Sequence, residues 1–327
     1  MKMSADKLTI LRGESEVPIE GLLGKKVSII GYGNQGRSHA LNLRDSKINV
    51  VIATRKIKNA TNDNFEVVTI GEASQTDLII IALPDEIQAD IYKNEILPNL
   101  NPNAVLGFIH GFAIRFGHID PPSGVGAIMV APKGPGVTVR QRFENNSGVP
   151  ALLAVERENS DGTARSMALG WAAGIGASRT AVIESTFADE AETDLFGEQA
   201  IIVGGLAALV RAAYETLVDA GYPRELAYIE CCHEVKQVAD ILHEKGMSEM
   251  MAAISNTAEM GAYEAMDLID DEHLRNHFRT ILQCVRNGSF AKRLVDKKIP
   301  SKREELGNHE IDQVGKEIRS LMHPKAD

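Results

Sequence analysis

The sequence predicts an α/β protein in which an N-terminal, Rossmann-like, doubly wound parallel sheet is followed by a C-terminal all-α domain. Short β-branched runs alternate with helical stretches from about residue 25 to residue 183, which is typical of a parallel sheet covered by helices. From about Thr186 these runs stop, and the sequence becomes rich in Ala, Leu, Met and Glu. We therefore predict a sheet domain over residues 1–185 and a helical domain over residues 186–327.

The predicted strands are short and mostly apolar, as buried parallel strands are. They cover residues 27–30, 50–53, 78–83, 104–109, 127–130, 151–155 and 181–183. In the second half, Gly221-Tyr222-Pro223 and Gly246 are stop signals that divide the sequence into several helices. The charged tail after Lys297 is expected to form a surface helix with a frayed end.

Composition argues against several classes of protein. The formal net charge is −10 over 327 residues, without the basic stripe that nucleic-acid binding requires, so no nucleic-acid partner is expected. The three cysteines form no Cys-x-x-Cys pair, which favours reduced thiols in the cytoplasm. No signal peptide is recognisable, and the longest apolar run, 200–210, has about eleven residues against the roughly 18 of a spanning helix. We expect a cytoplasmic protein without a membrane partner.

A glycine-rich turn follows the first predicted strand and precedes a predicted helix. In this G-x-G-x-x-G setting the first glycine permits a tight turn, the second lets a pyrophosphate approach the backbone, and the third lets helix and strand pack closely. The helix N-terminus would then face the phosphates with its N–H groups. The alternative is a Rossmann turn without a ligand. The residues concerned are Gly31, Tyr32, Gly33, Asn34, Gln35 and Gly36.

Two further segments at strand ends point to the same ligand. After the second strand comes Thr54-Arg55-Lys56-Ile57-Lys58, with cations where an NAD enzyme carries an acid for the ribose 2′-hydroxyl. Arg55 could hold a 2′-phosphate bidentately, which favours NADPH, although a solvated basic loop is the alternative. The third strand ends at Pro84 and a helix start, which is equally compatible with a purely structural role. This helix start contains Asp85, Glu86, Ile87 and Gln88.

Two pairs of acids in the helical half have metal-binding spacing. Asp194 and Glu198 form one pair, and Glu230 and Glu234 the other, each separated by four residues and therefore on one helix face. Two helices that each present such a pair can enclose hard divalent cations such as Mg²⁺. The alternative is that these acids simply favour helix starts. Spacing alone does not say why Glu190, one turn earlier, should not be a ligand.

Motifs along most of the chain identify a family. From about Gly24 to Lys292 the sequence resembles the ketol-acid reductoisomerases of the short class (class I) with a single helical domain. The motifs occur in the family's order, so coincidence does not explain them. They are GYGNQG with SHALNLRDS, LPDEIQ, HGF at 110–112, APKGPG at 131–136, ETDLFGEQ at 192–199, YIECCHE at 228–234, ISNTAE at 254–259 and NGSFAK at 287–292.

The resemblance implies a Rossmann domain and a knotted helical domain that interlocks with its partner in a homodimer, with a larger dimer-based assembly possible. It implies that Asp194 and Glu198 of one subunit and Glu230 and Glu234 of the other bind two Mg²⁺ ions. It also implies that Ser255 holds the substrate carboxylate. The positions that match the NADPH site are Tyr32 to Gln35, Arg55, Asp85 to Gln88 and Gly136.

The resemblance further implies that His110 is the active-site histidine and that Lys133 lies near the metals. Without it, His110 would be a strand-end histidine and Lys133 an ordinary loop lysine. The implied reaction is Mg²⁺-dependent alkyl migration in 2-acetolactate or 2-aceto-2-hydroxybutyrate, then reduction by NADPH to the 2,3-dihydroxy acid of valine and isoleucine biosynthesis. The alternatives are a metal-independent β-hydroxyacid or imine-type reductase and a non-catalytic NADPH-binding protein.

Departures from the family pattern bear on specificity. The loop after Arg55 is about four residues shorter than usual, and Val137 and Met260 replace the family's common histidine and aromatic residue. The segment 263–269 lacks the usual Gly-Pro. These changes affect the cofactor loop and the pocket wall and leave open a paralogue with an altered substrate, while the acid pairs, Ser255, His110 and Lys133 are all present.

Overall fold

The computed structural model describes residues 8–296 and 302–322. The described residues form two compact units, one up to Thr193 and one from Asp194 onward. The N-terminal unit contains the sheet and the C-terminal unit is helical.

The N-terminal unit is built on one sheet, which has nine strands in the described range. The sheet order is β1-β9-β8-β7-β6-β5-β2-β3-β4. From β4 to β7 all neighbours are parallel, which gives the doubly wound order with its switch point between β2 and β5. The strands are β1 (Ile10–Leu11), β2 (Lys26–Ile30), β3 (Asn49–Ala53), β4 (Glu66–Val67), β5 (Leu78–Ile81), β6 (Val105–Phe108), β7 (Gly126–Pro132), β8 (Ala151–Arg157) and β9 (Val182–Glu184).

The α/β fold is confirmed, but the sheet is mixed where a wholly parallel one was predicted. β8 runs antiparallel to β7, and β1 runs antiparallel to β9. The first reversal arises because the segment between β7 and β8 returns to the end at which β7 stops, so that Pro132 pairs with Ala151. All seven predicted strands are present, and β1 and β4 are two-residue additions.

The strands alternate between two cores. Ile29, Ile80 and Ile128 belong to the cluster on one face of the sheet, and Ile30, Ile81 and Met129 to the cluster on the other. Helices cover both faces, and β-branched residues fill the strands because a pleated, doubly buried surface suits them. The helices that begin before the unit boundary are α1 (Gly13–Glu16), α2 (Asn34–Asp45), α3 (Ile57–Asn62), α4 (Ile70–Ala73), α5 (Asp85–Ile91), α6 (Phe112–Arg115), α7 (Gly136–Glu144), α8 (Ala164–Gly174) and α9 (Phe187–Gly197).

The C-terminal unit contains helices interrupted at the predicted stop signals. Gly221, with φ +90°, follows the helix Gly204–Asp219. Gly246, with φ +82°, breaks the helix Val235–Ala252 near its middle. Wide π-helical turns, Glu198–Ile202 and Ile229–His233, precede α10 and α12. The helices are α10 (Gly204–Asp219), α11 (Arg224–Tyr228), α12 (Val235–Ala252), α13 (Asn256–Ile269), α14 (Glu272–Arg286), α15 (Ser289–Asp296), α16 (Arg303–Asn308) and α17 (Glu310–Met322).

The C-terminal tail is helical, but it is not only a surface element. Val314 and Ile318 of α17 are buried against Tyr214 and Tyr228 of α10 and α11. The prediction of a surface helix was therefore wrong for the inner face of α17. The predicted frayed end, together with residues 297–301, lies outside the described residues.

The stretch Phe187–Asp219 corrects the expectation that no apolar segment is long enough to cross a membrane. It is continuous over 33 residues and is the candidate, within the described ranges, that has the length and composition to cross a membrane. Only 6% of its most apolar 18-residue segment is buried. Counting a single apolar run missed it, because a helix continues through the isolated polar residues on either side of the run. Length and composition alone are weak grounds for a membrane span.

A buried histidine makes the stability of the N-terminal unit depend on pH. His39 of α2 is fully buried, and its Nδ1 accepts a hydrogen bond of 3.0 Å from the indole N–H of Trp171. The histidine Nε2 has no partner among the described residues. Burial lowers the pKa of His39 to about 3. The ring is therefore neutral in the folded protein.

We predict that replacing His39 with Gln reduces the loss of stability on acidification. Below the ordinary histidine pKa of 6.5 the unfolded state binds a proton that folded His39 does not, so stability falls as the pH drops. Between pH 8 and pH 5 this amounts to about 2 kcal/mol. Urea unfolding followed by fluorescence of Trp171, the chain's single tryptophan, measures it. The control is the exposed His277→Gln; equal pH slopes in all three proteins would refute the prediction.

Candidate active site

The glycine turn is shaped for close approach of a ligand. Gly31 has φ +110°, and a Cβ there would lie 2.4 Å from the Ala82 carbonyl oxygen. A Cβ at Gly36 would lie 2.3 Å from the Gly31 carbonyl oxygen, so only glycine allows α2 to start this close to β2. No heavy atom of the described residues lies within 4 Å of a Cβ built on Gly33. The turn therefore leaves open space where the motif requires a phosphate to pass.

A second loop holds this turn in place. A Cβ at Gly136 would lie 2.3 Å from the Asn34 carbonyl oxygen, so the start of α7 lies directly against the start of α2. Gln35 donates a hydrogen bond of 2.9 Å from Nε2 to the Gly134 carbonyl, and the Ser38 hydroxyl donates one of 2.6 Å to the Gly136 carbonyl. The Gln35 Oε1 is buried and has no protein partner among the described residues. Gly136, expected to line the cofactor site, thus supports the turn.

The segment after β5 lies across the switch point from the glycine turn. Pro84 precedes α5, which begins with Asp85. Gln88 is buried, and its Nε2 donates to the Leu83 carbonyl at 2.8 Å and to Asp85 Oδ1 at 2.9 Å. Gln88 therefore fixes the join between strand and helix, while Glu86 and Ile87 are partly exposed on the first turn.

The basic segment after β3 is exposed, and a nearby acid is already paired. Arg55 lies on the surface between β3 and α3. Asp63, at the end of α3, accepts hydrogen bonds from Arg37 at 2.6 and 2.8 Å and from the Tyr32 hydroxyl at 2.8 Å. The hydrogen bond from Arg37 is the main cause that keeps the pKa of Asp63 below its usual value. Tyr32 is thereby fixed beside the turn.

The candidate catalytic residues meet at one buried carboxylate. His110 follows β6 and Lys133 follows β7, at the same edge of the sheet as the glycine turn. Glu190 of α9 is 1% exposed; its Oε2 lies 2.9 Å from His110 Nδ1, and its Oε1 accepts from Lys133 Nζ at 2.7 Å. Oε2 also accepts from the Gly111 N–H at 2.7 Å. A Cβ at Gly111 would lie 2.3 Å from the Phe187 carbonyl oxygen, so this approach requires glycine.

The electrostatics explain why Glu190 is buried yet charged. Burial raises the pKa of its carboxyl, but the hydrogen bonds and charges of His110 and Lys133 outweigh burial and lower the pKa to about 2. Ionised Glu190 therefore stabilises the fold above about pH 4.5, and this contribution is lost as the pH falls towards 2. Because a carboxylate only accepts, it favours the tautomer of His110 with the proton on Nδ1.

The acid pairs lie at the two π-helical turns of the C-terminal unit's described residues. Asp194 lies near the end of α9, and Glu198 begins the turn that follows. Glu230 is the second residue of the other turn, and Glu234 directly follows it. Among the described residues of the C-terminal unit, no three His, Cys, Asp or Glu ligand atoms lie within 4.8 Å of one another, so the four acids form no such compact group within one chain. π-Turns occur frequently at functional sites.

Ser255 caps a helix. It precedes α13, and its hydroxyl accepts a hydrogen bond of 3.2 Å from the Ala258 N–H. An exposed helix N-terminus of this kind offers N–H groups and a positive dipole end to a carboxylate.

The residues present fit the groups that the resemblance implies. The glycine turn has a positive-φ glycine, open space at Gly33 and an uncapped twelve-residue helix behind it, as a dinucleotide pyrophosphate requires. The two acid pairs offer only carboxylate oxygens, which Mg²⁺ prefers over softer ligands.

Comparison with known families shows to which family the chain belongs. Residues 21–181 match the family described as acetohydroxy acid isomeroreductase, NADPH-binding domain, and residues 187–324 match the ketol-acid reductoisomerase C-terminal domain. The chain belongs to the ketol-acid reductoisomerase family. It is thus an NAD(P)-dependent oxidoreductase and isomerase of branched-chain amino-acid biosynthesis.

Solved structures agree with this assignment. The chain is 40% identical to an NADH-preferring ketol-acid reductoisomerase from an uncultured archaeon, with a TM-score of 0.92 and coverage of 96% of this chain and 99% of that one. A semialdehyde dehydrogenase NAD-binding protein from Cupriavidus necator, solved with calcium and NAD, is 20% identical, with a TM-score of 0.61 and coverage of 80% and 99%. A pyrroline carboxylate reductase from Plasmodium falciparum with NADP bound is 17% identical, with a TM-score of 0.50 and coverage of 81% and 98%. The last two show the fold alone.

Sequence reasoning missed the role of Glu190. Its spacing placed it on the same face of α9 as Asp194, one turn earlier, and gave no ground for separating the two. In the structure Glu190 is buried and is held by His110, Lys133 and the Gly111 amide, whereas Asp194 is partly exposed. The glycine that follows His110 was the available sign of a close approach at this strand end.

We predict that Glu190→Gln lowers kcat by about a hundredfold, because misplaced catalytic groups cost rates of that order. NADPH affinity should change less than about twofold, and stability should fall by about 2 kcal/mol with the loss of charge-assisted hydrogen bonds. The control is Glu192→Gln, which breaks the partly exposed ion pair with Arg115 on the same helix. Steady-state kinetics and cofactor titration test this; equal kcat in both variants would contradict a positioning role for Glu190.

Proposed function

We propose that the chain converts 2-acetolactate and 2-aceto-2-hydroxybutyrate into the corresponding 2,3-dihydroxy acids, with NADPH as reductant and two Mg²⁺ ions in each active site. The observation that carries this proposal is the buried Glu190 carboxylate. It gathers His110 and Lys133 at the cofactor edge of the sheet and lies one helical turn before the acid pair of Asp194 and Glu198.

The reaction has two balanced steps. In the first, the tertiary hydroxyl at C2 loses its proton, the alkyl group moves with its electron pair from C2 to the C3 carbonyl carbon, and the C3 oxygen gains a proton. In the second, a hydride and a proton are added across the new C2 ketone. Bound Mg²⁺ would polarise the ketone and acidify the hydroxyl, and NADPH would supply the hydride.

The chain's own residues would position the catalytic groups, the substrate and the metals. Glu190 fixes the ring of His110 and the ammonium of Lys133, so both groups keep one position during the alkyl shift. Ser255 at the N-terminus of α13 would hold the substrate carboxylate. Asp194, Glu198, Glu230 and Glu234 would hold the metals.

The preference for NADPH is supported by the cations after β3. Arg55, Lys56 and Lys58 are exposed where a 2′-phosphate would lie, and the nearby Asp63 is occupied by Arg37 and Tyr32. The solved relative at 40% identity is described as NADH-preferring, so this family accepts either cofactor.

We predict that Arg55→Gln lowers kcat/KM for NADPH by about tenfold, the loss expected for a charge-assisted phosphate contact. It should leave kcat/KM for NADH nearly unchanged, because that cofactor carries no 2′-phosphate. The control is Lys47→Gln, which removes a cation before β3, at the opposite end of this strand. Initial rates with both cofactors decide it. A wild type that prefers NADH, or a variant that loses both cofactors equally, would contradict the proposal.

The acid pairs and the exposed apolar surface support a homodimer that shares its active sites. The apolar side chains of α10 and of the π-helical turn Glu198–Ile202 before it are exposed in the single chain, among them Ile202 at 65% and Leu209 at 58%. Surfaces of this extent mark contacts with a partner. A second copy that covers α10 would supply the other acid pair, and larger dimer-based assemblies are compatible with it.

We predict that two inactive variants complement each other. Asp194→Asn and Glu230→Gln should each lack activity with acetolactate, but co-expression should restore about a quarter of wild-type activity, since half of the dimers are mixed and each mixed dimer has one intact site. The matched control co-expresses Glu230→Gln with Glu234→Gln, in which no intact site can form.

The same assay, with EDTA added, separates the alternatives. Activity of the wild type that survives removal of the metal would favour the metal-independent reductase. Tight NADPH binding without turnover would favour a non-catalytic binding protein. No recovery in the first co-expression, despite mixed dimers, would show that each chain builds its site alone. Glu244→Gln, an exposed acid outside both pairs, should remain active.

A cytoplasmic location completes the proposal. All three cysteines are free thiols in the structure, as expected in a reducing compartment. The apolar stretch Phe187–Asp219 would then be covered by protein and not by lipid. The chain should therefore purify without detergent, and light scattering should give the mass of a dimer.

A further inference from the structure

Tyr228, which precedes the π-helical turn Ile229–His233, packs against α17 and is hydrogen-bonded to it. Tyr228, the last residue of α11, is 5% exposed and packs against Val314 and Ile318 of α17. Its hydroxyl accepts a hydrogen bond of 2.9 Å from the Nη1 of Arg319. The Tyr228 side chain therefore makes both apolar contacts and a hydrogen bond with the single helix α17.

Gly315 of α17 allows the Tyr228 ring to pack this closely. A Cβ on Gly315 would lie 2.7 Å from Tyr228 Cε2 and 3.0 Å from Cζ, with Arg319 Nη1 at 2.8 Å. The backbone of α17 thus touches the aromatic ring directly. Gly307 in the neighbouring α16 has no heavy atom of residues 8–296 or 302–322 within 4 Å of its Cβ position, so packing among these residues does not require a glycine there.

Tyr228, Gly315 and Arg319 form a clamp, which lies on the side of the α11 helix opposite to Glu230. Residues two positions apart on a helix point about 200° apart, so Glu230 faces away when Tyr228 faces α17. The burial agrees, since Tyr228 is buried and Glu230 is exposed. The chain runs from α11 into the π-turn without a break. A rotation of α11 about its axis would therefore move the Glu230 carboxylate directly.

We propose that Tyr228, Gly315 and Arg319 are positioning residues that set Glu230 and Glu234 for metal binding. This inference rests on the proposed function, in which these two acids are Mg²⁺ ligands. Mg²⁺ demands near-ideal octahedral geometry and is intolerant of displaced ligands. The clamp makes the C-terminal helix, which carries no ligand itself, part of the metal site.

The test is Mg²⁺ binding to the full-length protein by calorimetry, without substrate. Gly315→Ala pushes a methyl group into the Tyr228 ring and should weaken Mg²⁺ binding by about tenfold, as loss of a supporting contact does at metal sites. Gly307→Ala is the matched control and should bind as the wild type does. NADPH affinity, which belongs to the N-terminal unit, should be unchanged in both variants.

Kinetics separate positioning from general stability. The Mg²⁺ concentration for half-maximal activity should rise about tenfold in Gly315→Ala, while saturating Mg²⁺ restores kcat. If this variant does not fold by circular dichroism, Tyr228→Phe and Arg319→Gln decide, since each removes the hydrogen bond without adding volume. Arg319→Lys keeps a donor and should recover most of the Mg²⁺ affinity that Arg319→Gln loses.

The outcomes are distinct. A wild type that binds Mg²⁺ and clamp variants that bind it equally well would overturn the positioning role and leave the proposed function intact. A wild type that binds no Mg²⁺ would overturn both. A lower melting temperature with unchanged Mg²⁺ affinity would mean that the clamp serves stability alone.

Discussion

The buried carboxylate of Glu190 is the interaction on which the active-site edge depends. Removing a carboxylate from water is costly unless hydrogen bonds and opposite charge compensate for it. Here a histidine, a lysine and a backbone amide do so, and they come from the ends of two neighbouring strands. The carboxylate remains charged because all three partners are in place, and the partners are ordered because the carboxylate is charged. Loss of any one leaves the others with an uncompensated polar group.

Close backbone contacts extend this order to the cofactor side. Three glycines, Gly31, Gly36 and Gly136, lie where any side chain would overlap a carbonyl oxygen. Together they fix the first turn of α2 against β2, β5 and α7. The glycine turn and the edge that carries His110, Lys133 and Glu190 therefore lie on one rim at the carboxyl ends of the strands. Such preorganisation suits a site that must hold a hydride donor and a rearranging substrate in one geometry.

The sequence predicted what depends on local pattern and on close neighbours. Strand positions, the glycine turn and the break at Gly246 follow from composition and backbone preference, and they are confirmed. The antiparallel course of β8 depends on where a loop returns, and the buried face of α17 depends on contact with α10 and α11, so neither could be read from the local sequence. Glu190 and Asp194 share a helix face, and only the ends of β6 and β7 distinguish the carboxylate that is buried.

The two units differ in how completely they bury their own apolar residues. In the N-terminal unit the strands are covered on both faces by its own helices. In the C-terminal unit the described core is a small cluster around Tyr214 and Tyr228, while large apolar side chains of α10 and α13 remain exposed. Apolar surface exposed to water opposes stability in proportion to its area. If a second chain covers that surface, the contact that stabilises the helices is the one that brings the acid pairs together, and assembly of the dimer and of the metal site become a single event.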